Sequence, residues 1–213
     1  MRFQERVTNV TLFFCACVYL CRAKKQNMTT LTWEEYIQRF EDILSGAFTN
    51  EIYAKEAYRD YVKMNHSRMN RWLKNAEITT ELKSKIEAIQ EPQNWYLITE
   101  PWCGDAAHSV PLIYLMSQLN DNVHLHIALR DDNHDFIDQY LTNGGRSIPK
   151  LVVRNADGQD IFVWGPRPKD LAVIHAKLKS ENADFDTINQ TLQTWYNHNK
   201  GVDIQQEFVG ILG

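Results

Sequence analysis

The stretch EPWCGDAAHSVP, residues 100–111, contains the side chain best suited to covalent chemistry, Cys103. A thiol at a strand-to-helix turn is a candidate nucleophile, because unpaired N–H groups and the dipole at a helix start favour its thiolate. Cysteines so placed have pKa values lowered to roughly 3.5–7.5 from about 8.5. Asp105 acts in the opposite sense, and one pKa unit is only about 1.4 kcal/mol, so the residue types leave the balance open. Three positions after Cys103, where a second thiol would expel a bound partner, stands Ala106. Any thiol chemistry therefore runs through one cysteine. Cys103 would attack a disulfide, a peroxide or a glutathione-like mixed disulfide, and a small external thiol would resolve the adduct. The alternative is an inert cysteine.

The other candidate groups are weaker. His108 lies five residues beyond Cys103, so the two do not share a helix face, and it reads as a surface or interface histidine. His124 and His126 share a strand face at a spacing compatible with a metal, but no third ligand accompanies them, and no metal or other cofactor is expected. No glycine-rich phosphate loop follows a strand. Between apolar positions of a helical stretch over 52–75 lie Lys63, His66, Arg68, Arg71 and Lys74. They make either a solvated face or an anion-recognising one, for which the planar donor fork of arginine is suited.

Several elements must hold Cys103 in place. Trp33, Tyr36, Ile37, Phe40, Ile43 and Leu44 recur at helical spacing behind a Thr32–Glu35 capping box. Helices are expected over 80–90, 106–119 (kinked at Pro111), 135–141 and 169–180, with a further one around Ile188, Leu192, Trp195 and Tyr196 and a short last one. NWYLIT (94–99) and VHLHIAL (123–129) read as strands, and LVVR (151–154) with DIFVW (160–164) as a hairpin turned at Asp157-Gly158.

A chain of 213 residues suffices for one domain with elaborations. Its formal charge is −4, and residues 1–27 hold five basic side chains against Glu5, so the body is acidic and no nucleic-acid partner is expected. Cys15, Cys17 and Cys21 all fall in residues 1–27, leaving Cys103 alone in a body with no disulfide framework, as expected of a reducing cytoplasmic setting. The apolar run over 10–21 is short for a membrane span and lacks a small-residue cleavage site. The favoured expectation is that translation starts at Met28; membrane attachment or export through residues 1–27 is the alternative.

Taken in order, these motifs resemble the thioredoxin family over about residues 76–182. Trp102, Cys103 and Gly104 match the start of W-C-G-P-C, and Pro111 matches the helix-kinking proline. Arg146-Ser147-Ile148-Pro149 is similar to the R-G-I-P loop, and Gly165 falls where the family has a glycine beside the site. The resemblance implies an α/β thioredoxin-like fold, a central mixed sheet flanked by helices, and a cis Pro149 facing the active cysteine. Flanking it are an N-terminal helical extension (28–75) and a C-terminal one (183–213). The implied site has Cys103 as nucleophile, walled by Trp102, Gly104, Asp105, Arg146, Ile148, Pro149 and Gly165. The departures bear on activity. Asp105 replaces the motif's proline, Ala106 its resolving cysteine, and Leu97 a buried aspartate that moves protons. Two functions fit: single-thiol redox chemistry on a protein or low-molecular-weight thiol or disulfide partner, or a non-catalytic module that binds an extended peptide at the Ile148-Pro149 loop.

Overall fold

A computed structural model of the protein describes residues 28–213, so the alternatives for residues 1–27 lie outside the described residues. Helix α1 (Trp33–Ser45) opens with the capping box in place. The Glu35 N–H donates to Thr32 Oγ1 at 3.2 Å, and the Thr32 N–H donates to Glu35 Oε2 at 2.7 Å. Its buried positions Tyr36, Phe40 and Ile43 follow the helical period, and Gly46 ends it at φ +81°. Helix α2 (Glu56–Asn75) and α3 (Thr80–Glu87) precede the first strand.

Four strands form one sheet in the order β2-β1-β3-β4, with β1 at Gln93–Thr99, β2 at Val123–Leu129, β3 at Lys150–Asn155 and β4 at Asp160–Trp164. β1 and β2 run parallel, which requires a crossover, and α4 (Ala106–Ser117) supplies it. β3 is antiparallel to β1 and forms a hairpin with β4. Leu31 bonds both ways to Ile127 at 2.7 and 2.9 Å, covering part of the outer edge of β2. Trp95, Leu97 and Ile98 of β1 and Leu151, Val152 and Val153 of β3 are fully buried. Helix α4 is buried almost all round, as its apolar sequence requires.

The helix expected over 135–141 is shorter. Helix α5 is only His134–Ile137, since the Gln139 and Tyr140 N–H groups bond three residues back, to Phe136 and Ile137, and tighten the chain into turns. Helices α6 (Lys169–Ser180), α7 (Phe185–Asn199) and α8 (Val202–Ile211) complete the chain. Leu171 of α6 packs with Ile188, Leu192 and Tyr196 of α7 in a small core of their own. Among the described residues no helix is long and apolar enough to cross a membrane.

Candidate functional site

The turn after β1 carries Cys103, whose N–H donates to the Glu100 carbonyl at 3.1 Å. Its thiol donates to the Ile148 carbonyl at 3.4 Å, and Cys103 itself is only 7% exposed. The Ile148–Pro149 peptide is cis, as is Gly165–Pro166. Gly165 stands at φ +103°, and a Cβ there would collide with the Pro149 carbonyl. A side chain at this position is excluded twice, by conformation and by contact, which explains the glycine.

Helix α4 begins at Ala106, with Asp105 at its N-cap but making no side-chain capping bond. The Asp105 carboxylate turns instead into the protein. It pairs with Arg167 at 2.6 Å and accepts the Tyr196 hydroxyl at 3.0 Å. Burial raises the Asp105 pKa, while Arg167 and then Tyr196 hold it down. Burial first, and the Asp105 charge second, push the Cys103 thiol up to about 12, against the N–H groups of Ala106 and Asp105 and the Arg167 cation. The expected pull of the helix start on the thiol is therefore present but outweighed. Burial and the Asp105 charge thus both favour the neutral thiol, the form that donates to the Ile148 carbonyl.

His108 is a correction to the sequence reading: it is fully buried, not at the surface. Its ring stacks on Tyr196 with centroids 4.2 Å apart, Nδ1 accepts the Trp72 indole N–H at 2.9 Å, and Nε2 lies 2.7 Å from Gln193 Oε1. Accepting from Trp72 fixes the tautomer, with the proton on Nε2. Burial lowers its pKa to about 4.

Around Cys103 lies a cavity of about 840 Å³. Its floor is Trp102, Cys103, Gly104 and Asp105 with Ser147 and Ile148; Arg146 and Arg167 stand at its sides. Pro149 and Gly165 are not among the residues that line it, and the glycine is pressed against the Pro149 carbonyl. The remaining walls come from the helices flanking the sheet domain. Tyr58, Tyr61, Met64 and Arg68 of α2 face Phe185, Asn189 and Gln193 of α7. The arginine fork of α2 was the one wall with a signal in the sequence. The α7 polar residues had none, since their spacing is that of any solvated helix face.

Beneath the turn is a buried carboxyl group that the sequence reading did not anticipate. Leu97 is fully buried among apolar strand neighbours, but Glu100 is 4% exposed. Glu100 accepts the Asp131 N–H at 2.9 Å and lies 3.5 Å from the Tyr53 hydroxyl. Burial raises its pKa to about 7, the Asp131 N–H opposing. Among the described residues no group of three or more His, Cys, Asp or Glu side chains is placed to hold a metal ion.

The crystal structure of an HIV epitope-scaffold is similar at a TM-score of 0.51 and 14% identity, covering 85% of this chain and 98% of its own. A protein of unknown function from Pseudomonas aeruginosa gives a TM-score of 0.49 at 13% identity, with 85% and 97% covered. No curated protein is significantly similar in sequence. The Thioredoxin model Thioredoxin_9 matches residues 52–179, more than half of the chain and including α2, β1, the Cys103 turn and the hairpin. By that match, the chain belongs to the thioredoxin family.

Proposed function

We propose that this thioredoxin-like chain is a binding module that receives an extended peptide of a protein partner in the cavity over Cys103. The observation that carries the reading is the state of that cysteine. It is buried, its thiol donates to the Ile148 carbonyl, and the Asp105 carboxylate beside it opposes ionisation. A thiol held neutral is a poor nucleophile, since the thiolate is the attacking species. Ala106 supplies no group to release a covalently held partner. The Ser147-Ile148 segment lines the cavity beside Cys103, where an extended peptide would pair edge-on with its main chain. Trp102 and the aromatic residues of α2 supply apolar pockets for its side chains.

Single-thiol chemistry is the second reading, favoured by one observation: Cys103 lines the open cavity and is not sealed beneath it. In that reading Cys103 Sγ bonds to one sulfur of a partner disulfide and the other sulfur leaves as a thiolate. A small thiol from solution then attacks the mixed disulfide and restores Cys103. The pH dependence of Cys103 alkylation by iodoacetamide separates the two. For the binding module the rate stays low through neutral pH and rises only above the free-cysteine value of about 8.5. An inflection below that value would replace the binding reading with the redox one.

A further inference from the structure

The chain's formal charge of −4 and the excess of basic residues over Glu5 in residues 1–27 leave the described residues clearly acidic. The cavity over Cys103 has the opposite character. Arg68, Arg130, Arg146 and Arg167 line it, against the carboxylates of Asp105 and Asp186. Three of these arginines have an answering acid. Arg130 pairs with Asp131 at 2.7 Å, Arg146 with both oxygens of Asp138 at 2.6 and 2.7 Å, and Arg167 with Asp105 at 2.6 Å.

Arg68 is different. Its guanidinium donates to the neutral Asn65 Oδ1 at 3.1 Å, and no carboxylate pairs with it among the described residues. Asn65 is itself buried and donates to the Pro101 carbonyl at 3.0 Å, so α2 is fastened to the turn that carries Cys103 with Arg68 held at the cavity. Partial burial and the neighbouring Arg71 both weigh against the Arg68 charge. An anion at the guanidinium would relieve both penalties. The Trp102 indole N–H is also buried and without a partner, beneath the Arg130 guanidinium that lies 4.8 Å over its ring.

We infer that the cavity selects an acidic segment: an extended peptide whose carboxylate side chain pairs with Arg68 while its backbone runs along Ser147-Ile148. The inference rests on the binding reading and adds the chemistry of the ligand. A planar guanidinium meets a carboxylate through two parallel N–H···O bonds, which a single neutral amide cannot reproduce. At about 840 Å³ the cavity exceeds what one small acid fills, and Ser147 and Ile148 are among the residues that line it.

The test uses the full chain and two fluorescently labelled octapeptides, one alternating glutamate with valine and the other glutamine with valine, read by anisotropy. The glutamate peptide is expected to bind about tenfold tighter, a difference of about 1.4 kcal/mol. Rising salt should erase that preference, as for a partly exposed charge pair. Arg68→Gln should bring both peptides to the same affinity, and Arg68→Lys should keep part of the difference. The salt series on the unaltered chain decides the matter even where Arg68→Gln perturbs folding. Equal binding of both peptides, or a preference that survives salt or Arg68→Gln, overturns acid selection and leaves the binding reading standing. Binding of neither peptide overturns both. Displacement of the bound peptide by equimolar free succinate would overturn the assignment to a peptide.

Discussion

Replacing Glu100 by Gln isolates one buried proton site. Glu100 is 4% exposed, and burial carries its pKa from 4.5 to about 7. Between those values the folded protein binds a proton that the unfolded chain releases, so the stability Glu100 contributes is complete below about pH 4.5 and lost as pH rises through about 7. At roughly 1.4 kcal/mol per pH unit, that interval corresponds to about 3 kcal/mol. Glutamine keeps an acceptor for the Asp131 N–H and has no proton to lose. The Gln protein should therefore match the wild type near pH 4.5 and exceed it by about 3 kcal/mol near pH 8.

The wild-type profile alone would hide this effect. His108, lowered to about 4 from 6.5, has the opposite sign: its contribution is complete above about 6.5 and is lost as pH falls towards 4. Over the shared range the two slopes oppose each other, and Glu100→Gln should expose the histidine's loss at acid pH. Urea unfolding followed by tryptophan fluorescence, at matched pH for both proteins, gives the difference directly. A difference that is constant with pH, or a Gln protein less stable near pH 8, would refute the assignment of Glu100 as the buried acid.

Two further substitutions probe the framework of the site. Arg167→Gln leaves the Asp105 carboxylate buried beside Tyr196 without its cation, and should cost about 3 kcal/mol in urea unfolding while slowing Cys103 alkylation further; a loss under about 1 kcal/mol would mean that solvent screens the pair. Gly165→Ala forces a side chain at φ +103° into the Pro149 carbonyl, and should cost about 2 kcal/mol or more and loosen the Ile148 contact so that Cys103 alkylates faster; unchanged stability and rate would show that the loop moves aside freely.

What could be read from the sequence was local backbone chemistry. Thr32 and Glu35 specify a helix start and Asp157-Gly158 a hairpin turn, because each requirement is met within a few residues of chain, whereas Gly165 was legible only through the resemblance, since the carbonyl that excludes a side chain there belongs to Pro149. The state of Cys103 is not of that kind. The N–H groups of a helix start come from neighbours in sequence, while the larger influence on the thiol is burial created by distant segments. His108 failed for the same reason: the side chains that enclose it, Trp72 and Tyr196, lie 36 and 88 positions away and carry no mark of the contact. In the resemblance Leu97 marks the loss of a buried acid, and the acid at Glu100 has no signal in the sequence because its surroundings come from Tyr53 and Asp131.

Asp105 joins these observations. In the resemblance it stood as a departure, an acid in place of a proline beside the nucleophile. In the fold it fastens α7, since the Tyr196 hydroxyl from that helix and the Arg167 guanidinium both close on its carboxylate. Helix α7 then brings Gln193 over Gly104 and, with α2, lines the cavity. The residue that anchors the added helix is thus the one whose charge stands next to the thiol and opposes its ionisation. Building the pocket and holding Cys103 neutral are consequences of one arrangement. That is the physical reason for giving binding precedence over thiol chemistry at this site.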